Sequence, residues 1–286
     1  MGQVEDEVTP FLKARRAALD PAEVGLPDGA TRRRVRGLRR EEVAQLAGIS
    51  VDYYTRIEQG RAPAISDAVL DAIARALRLT AHEHTFLRNI TAPGRRGAAG
   101  ACAPVERPEV RQQIQELLDA MGDTVPAMIY GPGTDILAWN RLAVLAYSTD
   151  FDALPEHERN GARMVFLRPD ARTTYPDWTI VAEETVCALR ADVGRFPENG
   201  RPYQVMCELR EASEDFRRLW AVQDVRDRDH GVKRVMHPEV GELVLTFEAF
   251  DLPTDPHQRL CTYTAPKGSQ TEQKLRELAT RITATV

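Results

Sequence analysis

The stretch SVDYYTRIEQGR, residues 50–61, places Val51, Asp52, Thr55, Arg56 and Gln59 on one outward face if it is helical. Those are side chains that can read the edges of base pairs. Arg56 can bind a guanine edge in bidentate fashion, or it can touch a phosphate or pair with an acid. Asp52 repels phosphate, so it either accepts from a cytosine amine or orients a neighbouring arginine. Thr55 can meet a thymine methyl or a phosphate, and Tyr53 can reach the nucleic-acid backbone. Arg61 follows just past Gly60, while Glu58 reads as a structural ion-pair partner. Arg39 and Arg40 stand at the start of the preceding helix, whose N-terminus already attracts phosphate. The run Arg32, Arg33, Arg34 and Arg36 adds positive charge suited to phosphate contact.

Such a face needs two helices held at a fixed angle. Val43, Ala47, Ile49, Tyr54 and Ile57 are apolar at the positions that would pack such a pair together, and Ala44 is small where the helices should cross. Gly48 can take the left-handed conformation of a sharp turn, and Ser50 can cap the second helix over residues 51–59. The pattern is a helix-turn-helix. Around it, Thr9 and Pro10 suggest an N-cap and first position for an opening helix. Ser66 and Asp67 open another, and residues 81–90 form a fifth.

Residues 93–108, rich in Gly, Ala and Pro, read as a linker between a domain at 9–92 and a second at 109–286. The charge follows that division. Residues 10–96 carry 16 Lys and Arg against 10 Asp and Glu, although the chain as a whole has a net charge of -5. One domain is therefore expected to meet a polyanion and the other is not.

The second domain mixes periods. Helical spacing is expected over 109–121, 177–193, 203–212, 214–222 and 271–282, and strands over 125–132, 134–140, 231–238, 240–250 and 259–264. Leu243, Leu245, Phe247 and Ala249 alternate with Val244, Thr246, Glu248 and Phe250, with a turn at 237–241. About five strands and several helices suit an α+β domain with one antiparallel sheet. His237 beside that turn reads as a structural hydrogen-bonder, and Arg163, Arg168 and Arg234 as surface ion pairs or carboxylate contacts.

Other classes find little support. No apolar run reaches the roughly eighteen residues of a membrane span. The start, MGQVEDEVTP, has neither the basic nor the apolar region of a secretory signal, so a cytoplasmic protein is expected. The four cysteines form no CxxC pair and the six histidines are dispersed, so neither metal nor other cofactor is expected. No Ser/His/Asp, Cys/His, P-loop or HExxH signature occurs, which weighs against an enzyme with a DNA-binding front end.

The segment RREEVAQLAGISVDYYTRIEQGR resembles the Xre/Cro helix-turn-helix. With DILAWNRLA, TYPDWTIVAEETVCALRADVGR, FRRLWAVQDV, KRVMHPEVGELVLTFEAF and QRLCTYTAPKGS, the whole chain resembles the MmyB-like regulators. That resemblance implies a bacterial transcription regulator with a five-helix, lambda-repressor-like first domain. It implies a PAS-like second domain with a five-stranded antiparallel sheet that binds a small, fatty-acid-like molecule. Where Xre-type motifs usually open the first helix with Gln, this chain has Arg40, a departure that keeps a phosphate role. The expected partners are double-stranded DNA with a near-palindromic operator and a second copy of the chain. The resemblance draws Met128, Tyr130, Trp139, Phe166, Trp178, Trp220 and Phe247 into the set from which a pocket would be lined, although such spacings also suit plain core. An antitoxin or protein-gated regulator with no small ligand is the alternative, and a side-chain-filled second domain would favour it.

Overall fold

The computed structural model describes residues 7–26, 37–62, 64–92, 107–122, 124–196, 200–226, 229–255 and 257–283. The linker centre and the arginines at 32, 33, 34 and 36 lie outside the described residues. The first domain is helical: α1 (Val8–Ala18), α2 (Arg40–Ala47), α3 (Val51–Glu58), α4 (Asp67–Ala76) and α5 (Ala81–Thr91). Phe11, Leu12, Val43, Tyr54, Ile57, Ile73, Phe86 and Leu87 close its core, with Phe11 and Phe86 edge to face at 5.1 Å. Capping accounts for several boundaries. Ser50 and Ser66 accept from the backbone N–H groups of Tyr53 and Val69, and Thr80 with Glu83 forms a capping box. The opening helix departs from the expected cap. It starts at Val8, Glu7 holds the N-cap place, and no side chain caps it.

The second domain runs α6 (Gln112–Ala120), β1 (Ala127–Tyr130), β2 (Ile136–Trp139), α7 (Arg141–Tyr147), α8 (Gly161–Phe166), α9 (Ala171–Thr174), α10 (Trp178–Arg195), α11 (Arg201–Ala212), α12 (Glu214–Ala221), β3 (His230–His237), β4 (Gly241–Asp251), β5 (Arg259–Thr264) and α13 (Gln270–Thr283). The strands form one antiparallel sheet in the order β2-β1-β5-β4-β3. This is the α+β, PAS-like arrangement of the second domain. Met128 pairs with Cys261, and Cys261 with Ala249; Gly231 pairs with Phe247, and Phe247 with Tyr263. Strand alternation sends these residues and Lys233 to one face. On the other face Ala127 and Ile129 pack on Leu118 of α6.

The three short helices α7, α8 and α9 carry no expectation from the sequence. Buried asparagines start two of them. Asn140 Oδ1 accepts from the N–H groups of Ala143 (3.0 Å) and Ala127 (3.1 Å), tying α7 to the sheet. Asn160 accepts from Arg163 N–H and donates to Asp135 and to Gly133 O, fixing α8 over the β1–β2 turn. His237 anchors the β3–β4 turn. Its Nδ1 accepts from the N–H groups of Glu239 and Val240, so Nε2 donates to Leu145 O at 2.9 Å.

Candidate nucleic-acid interface and internal cavity

Gly48 ends α2 at φ +67°, and a Cβ there would meet nothing within 4 Å. The left-handed backbone, not lack of room, is what calls for glycine. Ala44 is fully buried where α2 and α3 cross. This turn leaves Val51, Asp52 and Arg56 exposed on α3, with Thr55 and Gln59 half-buried beside them. Ser50 at the cap, Arg61 and Arg39 are also exposed, and Tyr53 is half-buried.

Arg40 stands apart from the other candidate cations among the described residues. Its Nε donates to Glu58 Oε1 at 2.8 Å, and Arg16 Nε from α1 donates to Oε2 at 2.9 Å. The Glu58 side chain is 0 % exposed, whereas that of Arg40 remains 37 % exposed. One carboxylate thus ties the end of α3 to α1 and to the start of α2. Burial works to raise the Glu58 pKa, but the hydrogen bonds and charges of Arg16 and Arg40 outweigh it, so the carboxyl sits below its ordinary value. Burial, helped by the same carboxylate, holds the Tyr54 phenol neutral.

In the second domain a cavity of about 160 Å³ lies between the sheet and α10. Met128, Tyr130, Phe247, Cys261 and Tyr263 form its floor, Met164 and Val165 of α8 lie over it, and Ala188 and Ala191 present α10 to it. Hydroxyls and a cation gather at one part of the wall. The Tyr130 and Tyr263 hydroxyls lie 3.2 Å apart. The Lys233 ammonium stands 5.3 Å from the Tyr175 ring and 5.8 Å from the Tyr147 ring. Burial holds Tyr147 and Tyr263 well above the usual phenol pKa, so they remain neutral hydrogen-bond donors. Glu184, Asp192, Arg195 and Arg259 also line the cavity, so the arrangement can hold an apolar body that carries polar, hydrogen-bonding groups.

Three of the seven aromatic and sulfur candidates, Met128, Tyr130 and Phe247, line the cavity. The other four fill contacts elsewhere. Trp139 packs on Phe151 at 5.2 Å. Phe166 meets Trp178 and Phe216 edge to face, and Trp220 stacks on Phe216. Phe166, Trp178 and Trp220 sit on α8, α10 and α12, and a helix-to-helix layer consumes them before they can reach the sheet. Arg163, Arg168 and Arg234 are engaged by Glu208, Asp170 and the pair Asp177 and Glu242. Sequence reasoning missed Lys233, Tyr147, Tyr175 and Tyr263. Lys233 had a signal: it shares the inward strand register of Gly231 and Val235, where an aliphatic residue is the ordinary choice.

Two family models match the chain. Residues 110–278 match the model described as MmyB-like transcription regulator ligand binding domain. Residues 11–87 match the model described as helix-turn-helix domain. No curated protein matches the sequence.

Proposed function

The chain belongs to the MmyB-like transcription regulators, and from that premise we propose that α3 reads an operator in the major groove while the cavity takes a fatty-acid-like ligand that alters operator affinity. Both matched families are regulatory, one for binding DNA and one for binding a ligand. Among the described residues no helix is long and apolar enough to cross a membrane.

One chain offers one recognition helix, so a dimer on a near-palindromic site supplies useful affinity. Within that reading Arg56 contacts a base, and Arg39, Arg40 and Arg61 contact phosphates, together with Arg32, Arg33, Arg34 and Arg36 of the preceding basic run. The outer half of the Arg40 guanidinium is what Glu58 leaves for that contact. The observation that carries the sensor reading is the cavity itself. A second domain filled by its own side chains would favour a protein-gated regulator or an antitoxin, whereas the space between the sheet and α10 favours a small ligand. A ligand changes operator affinity only by binding one arrangement of the protein better than another.

The DNA half of the proposal is tested on sites selected from random DNA by the wild-type protein. Arg56→Ala costs about 1–3 kcal/mol on selected DNA and relaxes preference at one base pair. Arg39→Ala weakens selected and random DNA alike and lowers the salt slope by about one. Equal losses on both kinds of DNA for both variants remove Arg56 from base readout.

A further inference from the structure

Helix α10 has two opposed faces. Thr185, Ala188, Ala191 and Asp192 line the cavity. At 100° per residue, Arg190 and Gly194 lie on the far side of the same helix, and there they meet the first domain.

The contact is tight at both residues. A Cβ added at Gly194 would lie 2.4 Å from a ring carbon of Phe86, so the α10 backbone rests directly on an α5 side chain. Arg190 is fully buried, and its guanidinium donates to Glu7 Oε2 at 3.1 Å, to Gln223 Oε1 at 2.7 Å and to Trp220 O. It also stacks on the Trp220 ring at 3.9 Å. Glu7 is the residue before α1. From α1, Arg15 donates to the backbone oxygen of the same Gln223 at 2.8 Å and pairs with Glu83 of α5. Gln223 therefore receives an arginine from each domain. Val225, two residues on, enters the core of the first domain.

On the cavity side Ala188 and Ala191 are small. Glu184 and Arg195 of α10 also line the cavity, but an occupant lying over the two alanines bears directly on the α10 backbone. Close-packed interiors transmit such displacement instead of absorbing it. A charge-assisted clamp as buried as that of Arg190 is lost steeply when its partners shift.

We propose that α10 couples the cavity to the helix-turn-helix domain, with Arg190 and Gly194 as the positioning residues that dock that domain and release it when α10 is pushed outward. The proposal rests on the reading that the cavity takes a ligand, but its test does not need that ligand.

The test is amide hydrogen exchange on the full-length chain with a side chain as the fixed occupant. Ala188→Leu fills the cavity from the α10 wall, and Gly194→Ala wedges α10 from Phe86. Exchange at β4 and β5 reports that the second domain remains folded. Each substitution is expected to speed exchange in α1 and α5 by at least about fivefold, the lower end of ordinary allosteric coupling. The double variant is expected to give less than the product of the two effects, because both act on one docking contact. Should Ala188→Leu unfold the sheet, Ala191→Val fills the same wall with less volume and carries the same test. Unchanged exchange in α1 and α5 in the filled variant, beside a clear response to Gly194→Ala, overturns the coupling. A failure to find any ligand for the wild-type cavity leaves this result standing and counts only against the sensor reading.

Discussion

Replacing Glu58 by Gln destabilises the helix-turn-helix domain by about 2–4 kcal/mol, somewhat under the usual cost of breaking a buried ion pair because Arg40 is partly exposed. The amide keeps the shape of the carboxylate but not its charge, so the Arg16 and Arg40 guanidiniums face each other across a neutral group. The effect is tied to pH. The folded Glu58 pKa is depressed. Its stabilising contribution is therefore complete above the ordinary glutamate pKa and disappears as pH falls through the lower folded value. Urea unfolding followed by helical signal, at neutral and at acid pH, should show the gap between wild type and Glu58→Gln shrinking on acidification. A gap that stays constant with pH would mean that Glu58 acts through packing alone. DNA binding should fall in Glu58→Gln even below its unfolding midpoint, since Arg40 loses the partner that orients it.

Trp178→Ala destabilises the second domain by about 3–5 kcal/mol, the range for truncating a large buried aromatic. The indole N–H donates to Val165 O at 2.9 Å, the ring meets Phe166 edge to face, and the Arg172 guanidinium lies over it at 3.8 Å. Trp178→Phe keeps most of the packing and loses the hydrogen bond, at a cost of about 1 kcal/mol. Denaturant unfolding of both variants measures this. A Trp178→Ala protein that unfolds like wild type but loses affinity for an apolar ligand would place the indole in the cavity instead of the helix layer.

These two residues mark where sequence reasoning worked and where it stopped. The helix-turn-helix was legible because its constraints are local. Gly48 must turn, Ser50 must cap, Ala44 must be small, and each requirement falls on one residue type at one spacing. The long strands were legible through alternation, and the 237–241 turn through the change of period. The helices α7, α8 and α9 were not, since they are too short to show a period. The asparagines that start α7 and α8 look like any loop asparagine until their tertiary partners are seen. The cavity was only half legible. Phe247, Met128 and Tyr130 lie on strands whose register can be inferred, whereas Trp178, Phe166 and Trp220 needed knowledge of which helix packs on which. Helix α10 hid its two roles for a related reason. It is buried on several sides, with Trp178, Val181, Val186, Leu189 and Arg190 all enclosed, so no single apolar stripe distinguishes the cavity face from the domain face.

Native mass spectrometry of the gently purified full-length chain tests the central claim, that the second domain is a small-molecule sensor. The account predicts a co-purified apolar mass, released on denaturing extraction, or failing that a clear rise in stability of the second domain on adding long-chain fatty acids. A chain that is empty as purified, and whose second domain is not stabilised by any of those acids, would contradict it and leave a regulator governed by a protein partner.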